Sequence, residues 1–353
     1  MLKFALVGCG RIAKRHSELL GNNEILSAQL TAVCDTDYSK ALSIGELFKV
    51  PSYDDMDKMM QNEDIDVVVV LTPSGLHAKN VINLAKYQKH IMVEKPMALT
   101  IDDADAMIKA CDENNCKLFI IKQNRFNVPV VKLREALEAN RFGKLILGTV
   151  RVRWARHQKY YDQDKWRGTW AMDGGVLTNQ ASHHIDMLEW MMGDVESVFA
   201  KASTALAKIE VEDTAVVTLK FKNGALGIIE ATTATRPVNL EGSISILGEK
   251  GTVVIGGFAV NEVVSWIFEK EEKEDLEVLK KYSVNPPNVY GFGHKAYYDH
   301  VVDCVLKGSN NLVDGLQGRK SIELINAIYE SVETGKEVSL HFKPKQCKLG
   351  IKA

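Results

Sequence analysis

The sequence predicts an α/β protein with two domains: an N-terminal doubly wound domain with a parallel sheet, and a C-terminal α+β domain with a large, open-faced, mostly antiparallel sheet. The length of 353 residues suggests about two domains. Apolar runs such as residues 3–7 and 66–71 alternate with helical patterns, which is typical of parallel strands covered by helices on both faces. Later runs alternate apolar and polar residues, which favours antiparallel strands. We place the boundary after residue 123, giving domains 1–123 and 124–353.

The composition argues against several classes of protein. The formal net charge is -2, and no basic stripe that would bind nucleic acid is visible. No apolar run reaches membrane length and no basic start precedes an apolar signal core, so we expect a cytoplasmic protein with no membrane partner. The cysteines show no metal-ligand spacing, and we expect reduced thiols, no disulfide and no metal site. They are Cys9, Cys34, Cys111, Cys116, Cys304 and Cys347.

A glycine-rich loop directly follows the first predicted strand. Residues 8–13 form a GxGxxA pattern, and a helical pattern continues after them. Gly8 permits a tight turn, Gly10 lets the backbone approach a pyrophosphate, and the small Ala13 lets helix and strand pack closely. The start of the helix offers free N–H groups to the phosphates. This pattern predicts a Rossmann domain, whose loop residues expected at the cofactor are Gly8, Gly10, Arg11 and Ile12.

An acidic residue ends the second predicted strand. Asp35 follows the apolar run 30–34, and a carboxylate in this position can accept hydrogen bonds from the adenosine ribose hydroxyls. The same carboxylate would repel a 2′-phosphate, and Asp37 adds a second negative charge. We therefore expect the cofactor to be NAD and not NADP. The alternative is that Asp35 only caps a turn.

Two further strands of the first domain end in polar residues. The run 66–71 leads into Thr72-Pro73, and the run 91–93 leads into Glu94-Lys95-Pro96. Because open α/β sheets bind ligands outside the carboxyl ends of their strands, these segments should line one crevice. Lys95 is the first candidate for chemistry, and the alternative is a solvated lysine in an ordinary loop. The residues of this group expected at the cofactor are Thr72, Pro73, His77, Glu94 and Lys95.

The second domain is expected to be rich in antiparallel strands. A helix is predicted at 128–140, and Lys222-Asn223-Gly224 is typical of a hairpin turn. With few helices to cover the sheet, one face is left to pack against another subunit. The predicted strands lie at about 147–155, 196–205, 213–221, 225–234, 242–247 and 252–255.

A second group of polar residues lies on a predicted helix at 177–192. At about 100° per residue, Asn179, His183 and Asp186 share one narrow stripe. A histidine beside a carboxylate can accept or donate a proton near neutral pH, and the alternative is a hydrogen-bonded structural histidine. The Gly174-Gly175 pair before the helix suggests that the backbone approaches a ligand closely.

Two arginines are candidates for binding an anionic part of a substrate. A guanidinium group binds a carboxylate or a phosphate through two parallel hydrogen bonds. Arg125 follows the last predicted strand of the first domain, and Arg167 lies in the run that leads to the Gly174-Gly175 pair. The alternative for each is a structural ion pair.

Together these motifs resemble the glucose-fructose oxidoreductase, inositol dehydrogenase and MocA (Gfo/Idh/MocA) family over nearly the whole chain. The resemblance implies hydride transfer between NAD and a carbon of a sugar or cyclitol. It also implies homo-oligomers, dimers or tetramers, assembled through the C-terminal sheet. The residues that carry it are Gly8–Ala13, Asp35, Thr72-Pro73 with His77, Glu94-Lys95-Pro96, and Gly174-Gly175 through His183-x-x-Asp186.

The resemblance also implies roles for individual residues. Lys95 would touch the reacting hydroxyl, His183 would act as the acid/base, and the Lys95–Pro96 bond would be cis. Lys95 could itself be the base, because burial would depress its pKa. Further cofactor contacts are expected from Gln123, Trp166 and Arg167. Substrate contacts are expected from Lys95, Arg125, Arg167, Asn179 and His183.

One departure within this pattern points to a branch of the family. Asn179 stands where many members have Asp, and Ala181 stands where they have Gly. The Asn179-Gln180 version, preceded by the run 165–170, is similar to the branch that oxidises the 3-hydroxyl of UDP-N-acetylglucosaminuronic acid with NAD. That branch implies polysaccharide biosynthesis by a homotetramer.

Two alternatives remain open at this point. The first is a dehydrogenase for inositol or a free sugar, or a sugar 3-ketoreductase, of the same family. The second is a non-catalytic NAD-binding regulator, which would be expected to have lost Lys95 or His183, and both are present.

Overall fold

The computed structural model describes residues 1–283 and 292–340. Its first sheet consists of β1 (Leu2–Val7), β2 (Ala28–Cys34), β3 (Ser52–Tyr53), β4 (Val67–Val70), β5 (His90–Val93) and β6 (Leu118–Ile120). The spatial order is β3-β2-β1-β4-β5-β6, and all neighbours are parallel. The four valines of β4 are 0% exposed, as expected for a strand covered on both faces.

Helices cover this sheet between the strands. They are α1 (Ala13–Gly21), α2 (Tyr38–Phe48), α3 (Met56–Asn62), α4 (His77–Ala85) and α5 (Ile101–Glu113). Thr100 begins α5 by accepting a hydrogen bond from the N–H of Asp103, which is a typical N-cap. The predicted doubly wound domain is confirmed, and the carboxyl ends of its strands form one edge.

The second sheet has eight described strands. They are β7 (Leu145–Arg153), β8 (Val195–Ser203), β9 (Thr214–Phe221), β10 (Leu226–Thr232), β11 (Glu241–Gly248), β12 (Gly251–Gly256), β13 (Glu262–Phe268) and β14 (Val338–Ser339). Their order is β13-β12-β11-β7-β10-β9-β8-β14. Only β7 and β10 pair in parallel within the described sheet, so the prediction of a mostly antiparallel sheet is confirmed. The predicted hairpin turn joins β9 to β10, and Gly224 adopts a φ of +88° there.

The helices of this half are α6 (Val128–Glu138), α7 (Gln158–Tyr161), α8 (Ser182–Met192), α9 (Asp275–Lys281), α10 (Gly293–Leu306) and α11 (Gly315–Thr334). Leu188 of α8 and Ile325 and Ile328 of α11 pack into the core beneath the second sheet. Along β9, buried and exposed residues alternate, so the opposite face of the sheet is left open.

The chain returns to the first domain through α10. Tyr297 and Tyr298 lie in the hydrophobic core of the first sheet, and the ring of Tyr298 contacts Phe4 at a centroid distance of 5.6 Å. The proposed boundary after residue 123 separates the two sheets, whereas α10 packs back across it. This packing fastens the two halves of the protein together.

The predicted helix at 177–192 begins only at Ser182, and the residues before it form turns. No helix of the described residues is long and apolar enough to cross a membrane. The cysteines of the described ranges are buried free thiols, and Cys347 lies outside those ranges.

Candidate active site at the domain interface

The glycine-rich loop joins β1 to α1 and leaves open space beside its backbone. Gly8 has a φ of +101°, and a Cβ there would lie 2.7 Å from the carbonyl carbon of Leu71, so only glycine fits. A Cβ on Gly10 would meet no atom within 4 Å, and Ala13 is 0% exposed against the sheet. These positions fit a dinucleotide, which needs the tight turn, the open approach and the close helix packing.

Asp35 lies beside this loop at the end of β2. Its Oδ2 accepts a hydrogen bond from the N–H of Cys9 at 2.7 Å, and its Oδ1 accepts one from the N–H of Asp37 at 2.8 Å. The carboxylate therefore braces the loop while staying only half-buried. Its remaining lone pairs fit ribose hydroxyls, and its charge opposes a 2′-phosphate.

Lys95 follows β5 and reaches the second domain. The Lys95–Pro96 bond is cis, as the resemblance implied. The Nζ donates a hydrogen bond to the carbonyl oxygen of Asn179 at 2.9 Å. Burial lowers the pKa of Lys95 below its usual value, which makes the neutral amine more accessible as a proton acceptor. The charged groups that act on this amine are Glu94 and Asp173, which raise its pKa, and Arg167 and Arg156, which lower it.

Glu94 is buried against two histidines, and its expected contact with the cofactor stays a prediction. Its Oε1 lies 3.2 Å from Nε2 of His16 and 3.9 Å from Nε2 of His294. Its Oε2 accepts the N–H of Lys95 at 3.0 Å. The ligand atoms of this trio lie within 4.8 Å of one another, as a metal site would require. Because hydrogen bonds already engage both carboxylate oxygens, we interpret the trio as a structural cluster under Lys95.

His77 is also buried and hydrogen-bonded within the protein, and its expected contact with the cofactor stays a prediction. It is 1% exposed, with Nδ1 2.8 Å from the carbonyl oxygen of Pro96 and Nε2 2.8 Å from that of Thr72. The imidazole therefore ties together the two loops that follow β4 and β5. Thr72 and Pro73 themselves lie at the carboxyl end of β4, as predicted.

His183 lies in the first turn of α8. It lines the same small cavity as Lys95, so the two candidate residues come together at the boundary between the domains. Burial, and then the positive charge of Lys95, hold the pKa of His183 well below its usual value. The imidazole is therefore neutral near pH 7 and can accept a proton. Within residues 1–283 and 292–340, its Nε2 has no hydrogen-bond partner.

Asp186 is not the partner of His183, which corrects the prediction from the helical stripe. Its carboxylate accepts hydrogen bonds from Arg125 (Nε at 2.8 Å and Nη2 at 2.7 Å), from Ser321 at 2.9 Å and from Lys122. Arg125 is 4% exposed and forms the structural ion pair that was the alternative for it, while its contact with a substrate stays a prediction. The cluster fastens α8, and therefore His183, to the end of the first domain.

Asn179 lies in the turn before α8 and contacts the site through its main chain. Its carbonyl oxygen accepts from Lys95, while its side-chain amide donates to Oδ1 of Asp173 at 2.5 Å. Oδ2 of Asp173 accepts the N–H of Gly168 at 2.9 Å. No role was predicted for Asp173 from the sequence. Its only signal was a carboxylate directly before the diglycine.

The diglycine packs closely against side chains of the protein, and its expected approach to a ligand stays a prediction. A Cβ on Gly175 would lie 2.2 Å from Cδ of Glu212, and Gly174 adopts a φ of +78° against Thr178. The Oε1 of Glu212 accepts the N–H of Leu177 and the hydroxyl of Tyr329, both at 3.0 Å. Burial raises the pKa of Glu212 to about 7.

The segment between α7 and α8 places Arg167 beside the crevice. Its guanidinium lies 4.5 Å from the ring centroid of Trp166 and 4.6 Å from that of Tyr160. It also donates to Asp164 at 2.9 Å and to the hydroxyl of Tyr160 at 2.7 Å. Tyr160 carried no signal in the sequence. Arg167 lowers the pKa of Lys95, so its positive charge reaches the site.

Two other expected cofactor contacts lie where the domains meet. The guanidinium of Arg11 donates across the crevice to Gln163. Gln123 is 4% exposed, in the 3-10 turn Gln123–Phe126 that follows β6. Arg11 is therefore placed to bridge the crevice, whereas Gln123 lies within the junction.

The fold and the site define an oxidoreductase that uses NAD. The model of the oxidoreductase family NAD-binding Rossmann fold matches residues 2–122, and the model of its C-terminal alpha/beta domain matches residues 134–340. The chain belongs to the Gfo/Idh/MocA family.

Solved structures and a curated relative resemble the chain over its length. The WlbA dehydrogenase from Chromobacterium violaceum, in complex with NADH and UDP-GlcNAcA, is 42% identical with a TM-score of 0.91, covering 97% of each chain. The WlbA dehydrogenase from Bordetella pertussis, with the same two ligands, is 40% identical with a TM-score of 0.89, covering 97% of this chain and 99% of the other. Myo-inositol 2-dehydrogenase of Thermotoga maritima is 29% identical, covering 96% of this chain and 98% of that protein.

Proposed function

We propose that the enzyme oxidises the 3-hydroxyl of a UDP-N-acetylhexosaminuronic acid with NAD. The observation that carries this proposal is the meeting of Lys95 and His183 in one cavity at the domain boundary. The likeness to two dehydrogenases bound to NADH and UDP-GlcNAcA supports this substrate class. The product would be a 3-oxo nucleotide sugar, which suits polysaccharide biosynthesis because the UDP group activates the sugar for transfer.

Oxidation of the alcohol separates a hydride from a proton. NAD, when bound along Gly8, Gly10 and Asp35, supplies the acceptor for the hydride from the carbon. The hydroxyl proton passes to His183, whose imidazole is neutral near pH 7, or to Lys95, whose pKa burial lowers from its usual value. The amine of Lys95 also stabilises the negative charge that develops on the oxygen.

An anionic substrate fits the charges around the site better than a neutral polyol does. Arg156 and Arg167 both act on Lys95 electrostatically, and both guanidiniums lie over the ring of Tyr160, at 5.4 and 4.6 Å. A sugar carboxylate or a diphosphate offers the negative charge that such a surface attracts. Trp166 stacks on Arg167 and helps to hold it there.

The substrate class is tested with purified enzyme and NAD against UDP-N-acetylhexosaminuronates, UDP-N-acetylhexosamines, inositols and free sugars, by absorbance of NADH. We expect NAD to be reduced only in the presence of the UDP-N-acetylhexosaminuronates. Turnover of myo-inositol or a free sugar alone would favour the first alternative. Binding of NAD without reduction by any of these compounds would favour the regulator.

Asp35 should set the choice of cofactor. In Asp35→Asn, we expect the Kd for NAD to rise about tenfold or more, because a hydrogen bond to a charged group contributes about 1.5–3 kcal/mol. Binding of NADP should improve, since the repulsion is removed. Calorimetric titration of both cofactors checks this. Asp66→Asn is the matched control, because Asp66 also braces a backbone N–H, that of Lys3. Unchanged affinities for both cofactors would contradict the assignment.

We also propose that the open face of the second sheet binds a second copy of the chain, as part of a homotetramer. Phe199, Val216 and Ile228 on β8, β9 and β10 are 37%, 51% and 38% exposed. Phe199 and Ile228 both lie opposite Thr218, so they share one face. An exposed apolar face of this kind is typical of a subunit interface.

Ile228→Lys should weaken this assembly, because a charge would be buried at its centre. We expect light scattering after size exclusion to show a smaller species than the unsubstituted protein. Leu47→Lys, on the exposed side of α2, should leave the mass unchanged. A monomeric unsubstituted protein at micromolar concentration would contradict the proposal.

We propose a cytoplasmic location for the enzyme. The support is chemical: Cys9, Cys34, Cys111, Cys116 and Cys304 are free thiols, which suits a reducing compartment.

A further inference from the structure

Among the residues that the structure describes, the amine of Lys95 donates its hydrogen bond to a main-chain carbonyl. That carbonyl belongs to Asn179, whose side chain is anchored by Asp173. Asp173 is 1% exposed, and its other oxygen is held by Gly168. The carboxylate is therefore fixed at both oxygens.

Asp173 also supplies negative charge to the site. The charged or titratable groups that act on Lys95 or respond to it are His77, Glu94, Arg156, Arg167, Asp173 and His183. Of the two carboxylates, Glu94 is committed to His16, His294 and the N–H of Lys95. Asp173 is the carboxylate that belongs to the second domain, and Lys95 in turn lowers its pKa against the effect of burial.

We propose that Asp173 is the positioning residue for Lys95: it holds the amide of Asn179, so that the carbonyl of Asn179 faces the amine, and it supplies the negative charge that balances that amine. This inference rests on the proposed role of Lys95 in the reaction. It assigns to Asp173, on the turn before α8, the control of both the orientation and the proton affinity of the lysine.

An exchange of groups across the hydrogen bond tests this. Asp173→Asn removes the charge, and the amide of Asn179 can turn its oxygen towards the new amide to keep the bond. The double variant Asp173→Asn/Asn179→Asp restores both the charge and the bond with the two groups exchanged. The proton affinity of Lys95 is followed by competitive acetylation with trace acetic anhydride from pH 6 to pH 10. Mass spectrometry compares Lys95 with the exposed Lys79 in the same sample.

We expect Lys95 of Asp173→Asn to be acetylated about tenfold faster at neutral pH, because loss of a nearby negative charge lowers the pKa of a lysine. The double variant should return to within about twofold of the unsubstituted protein, as a charge at the neighbouring position restores the field. With substrate, kcat/KM should fall in Asp173→Asn and recover in the double variant. The limb of the pH profile that belongs to Lys95 should move to lower pH in Asp173→Asn and return in the double variant. A purely structural role would not produce this recovery.

An unchanged acetylation rate in Asp173→Asn would overturn the proposal, and so would a folded double variant that shows no recovery. If Asp173→Asn does not fold, Asp173→Ser, which keeps an acceptor for the N–H of Gly168, makes the same comparison. Acetylation needs no substrate. A failure of the proposed function, seen as no turnover on the substrate panel, is therefore distinguishable from a failure of this inference.

Discussion

Replacement of Lys95 by methionine should lower kcat by about 10³-fold or more, since general base catalysis contributes roughly 10²–10⁴-fold and an oxyanion donor roughly 10²–10³-fold. Methionine has a similar length but cannot donate to the carbonyl of Asn179 or to a substrate oxygen. The Kd for NAD should stay within about twofold, because the glycine loop and Asp35 are unchanged. Steady-state kinetics and calorimetric titration measure these two quantities.

Lys79→Met is the control, because it removes an exposed lysine from α4 and should leave kcat unchanged. Full turnover by Lys95→Met would show that the proposed mechanism is wrong. The pH profile separates the two candidate bases. A limb of kcat/KM below about pH 6.5 would belong to His183, whose pKa lies below its usual value. A second limb, at higher pH but below the usual range of a lysine, that is lost in Lys95→Met would belong to Lys95, whose pKa burial lowers.

Replacement of Asp186 by asparagine should lower the free energy of unfolding by about 3–5 kcal/mol, because it leaves Lys122 and Arg125 buried without their counter-charge. Activity should fall as well, since this cluster holds the helix of His183. Urea denaturation at pH 7 measures the loss. Glu196→Gln is the control: it breaks the exposed pair with Lys220 at 2.8 Å and should change stability by less than about 1 kcal/mol.

The loss in the free energy of unfolding caused by Asp186→Asn should depend on pH. Arg125 and Lys122 hold the pKa of Asp186 well below its usual value. The ion pair therefore contributes fully above about pH 5 and is lost as the pH falls towards the pKa of the folded state. The two proteins should differ most at neutral pH and converge in acid. An equal difference at every pH, or no loss at pH 7, would contradict the role of the cluster.

The local motifs could be predicted from the sequence because their function depends on neighbouring residues. The turn at Gly8, the packing of Ala13 and the strand of four valines each follow from a few consecutive residues. The cis bond at Lys95 came from the resemblance and not from the physics of the segment.

The partners of charged side chains could not be predicted, because they come from distant parts of the chain. Asp186 is 61 residues from Arg125 and 135 from Ser321. The helical stripe failed because it assumed that the helix extended back to residue 177, whereas Asn179 lies in a turn that Asp173 anchors. Glu94 and His77 have the sequence positions of crevice residues, but their side chains hydrogen-bond within the protein.

The most direct test of the account follows the hydride. UDP-N-acetylglucosaminuronic acid carrying deuterium at C3 is mixed with stoichiometric enzyme and NAD, and the reduced cofactor is analysed by mass spectrometry after one turnover. We predict that the reduced cofactor carries the deuterium. Reduced cofactor without deuterium would contradict the proposal that this site oxidises the 3-hydroxyl of a nucleotide sugar. A failure of the nucleotide sugar to reduce NAD, when myo-inositol does reduce it in a separate reaction, would contradict the proposal as well.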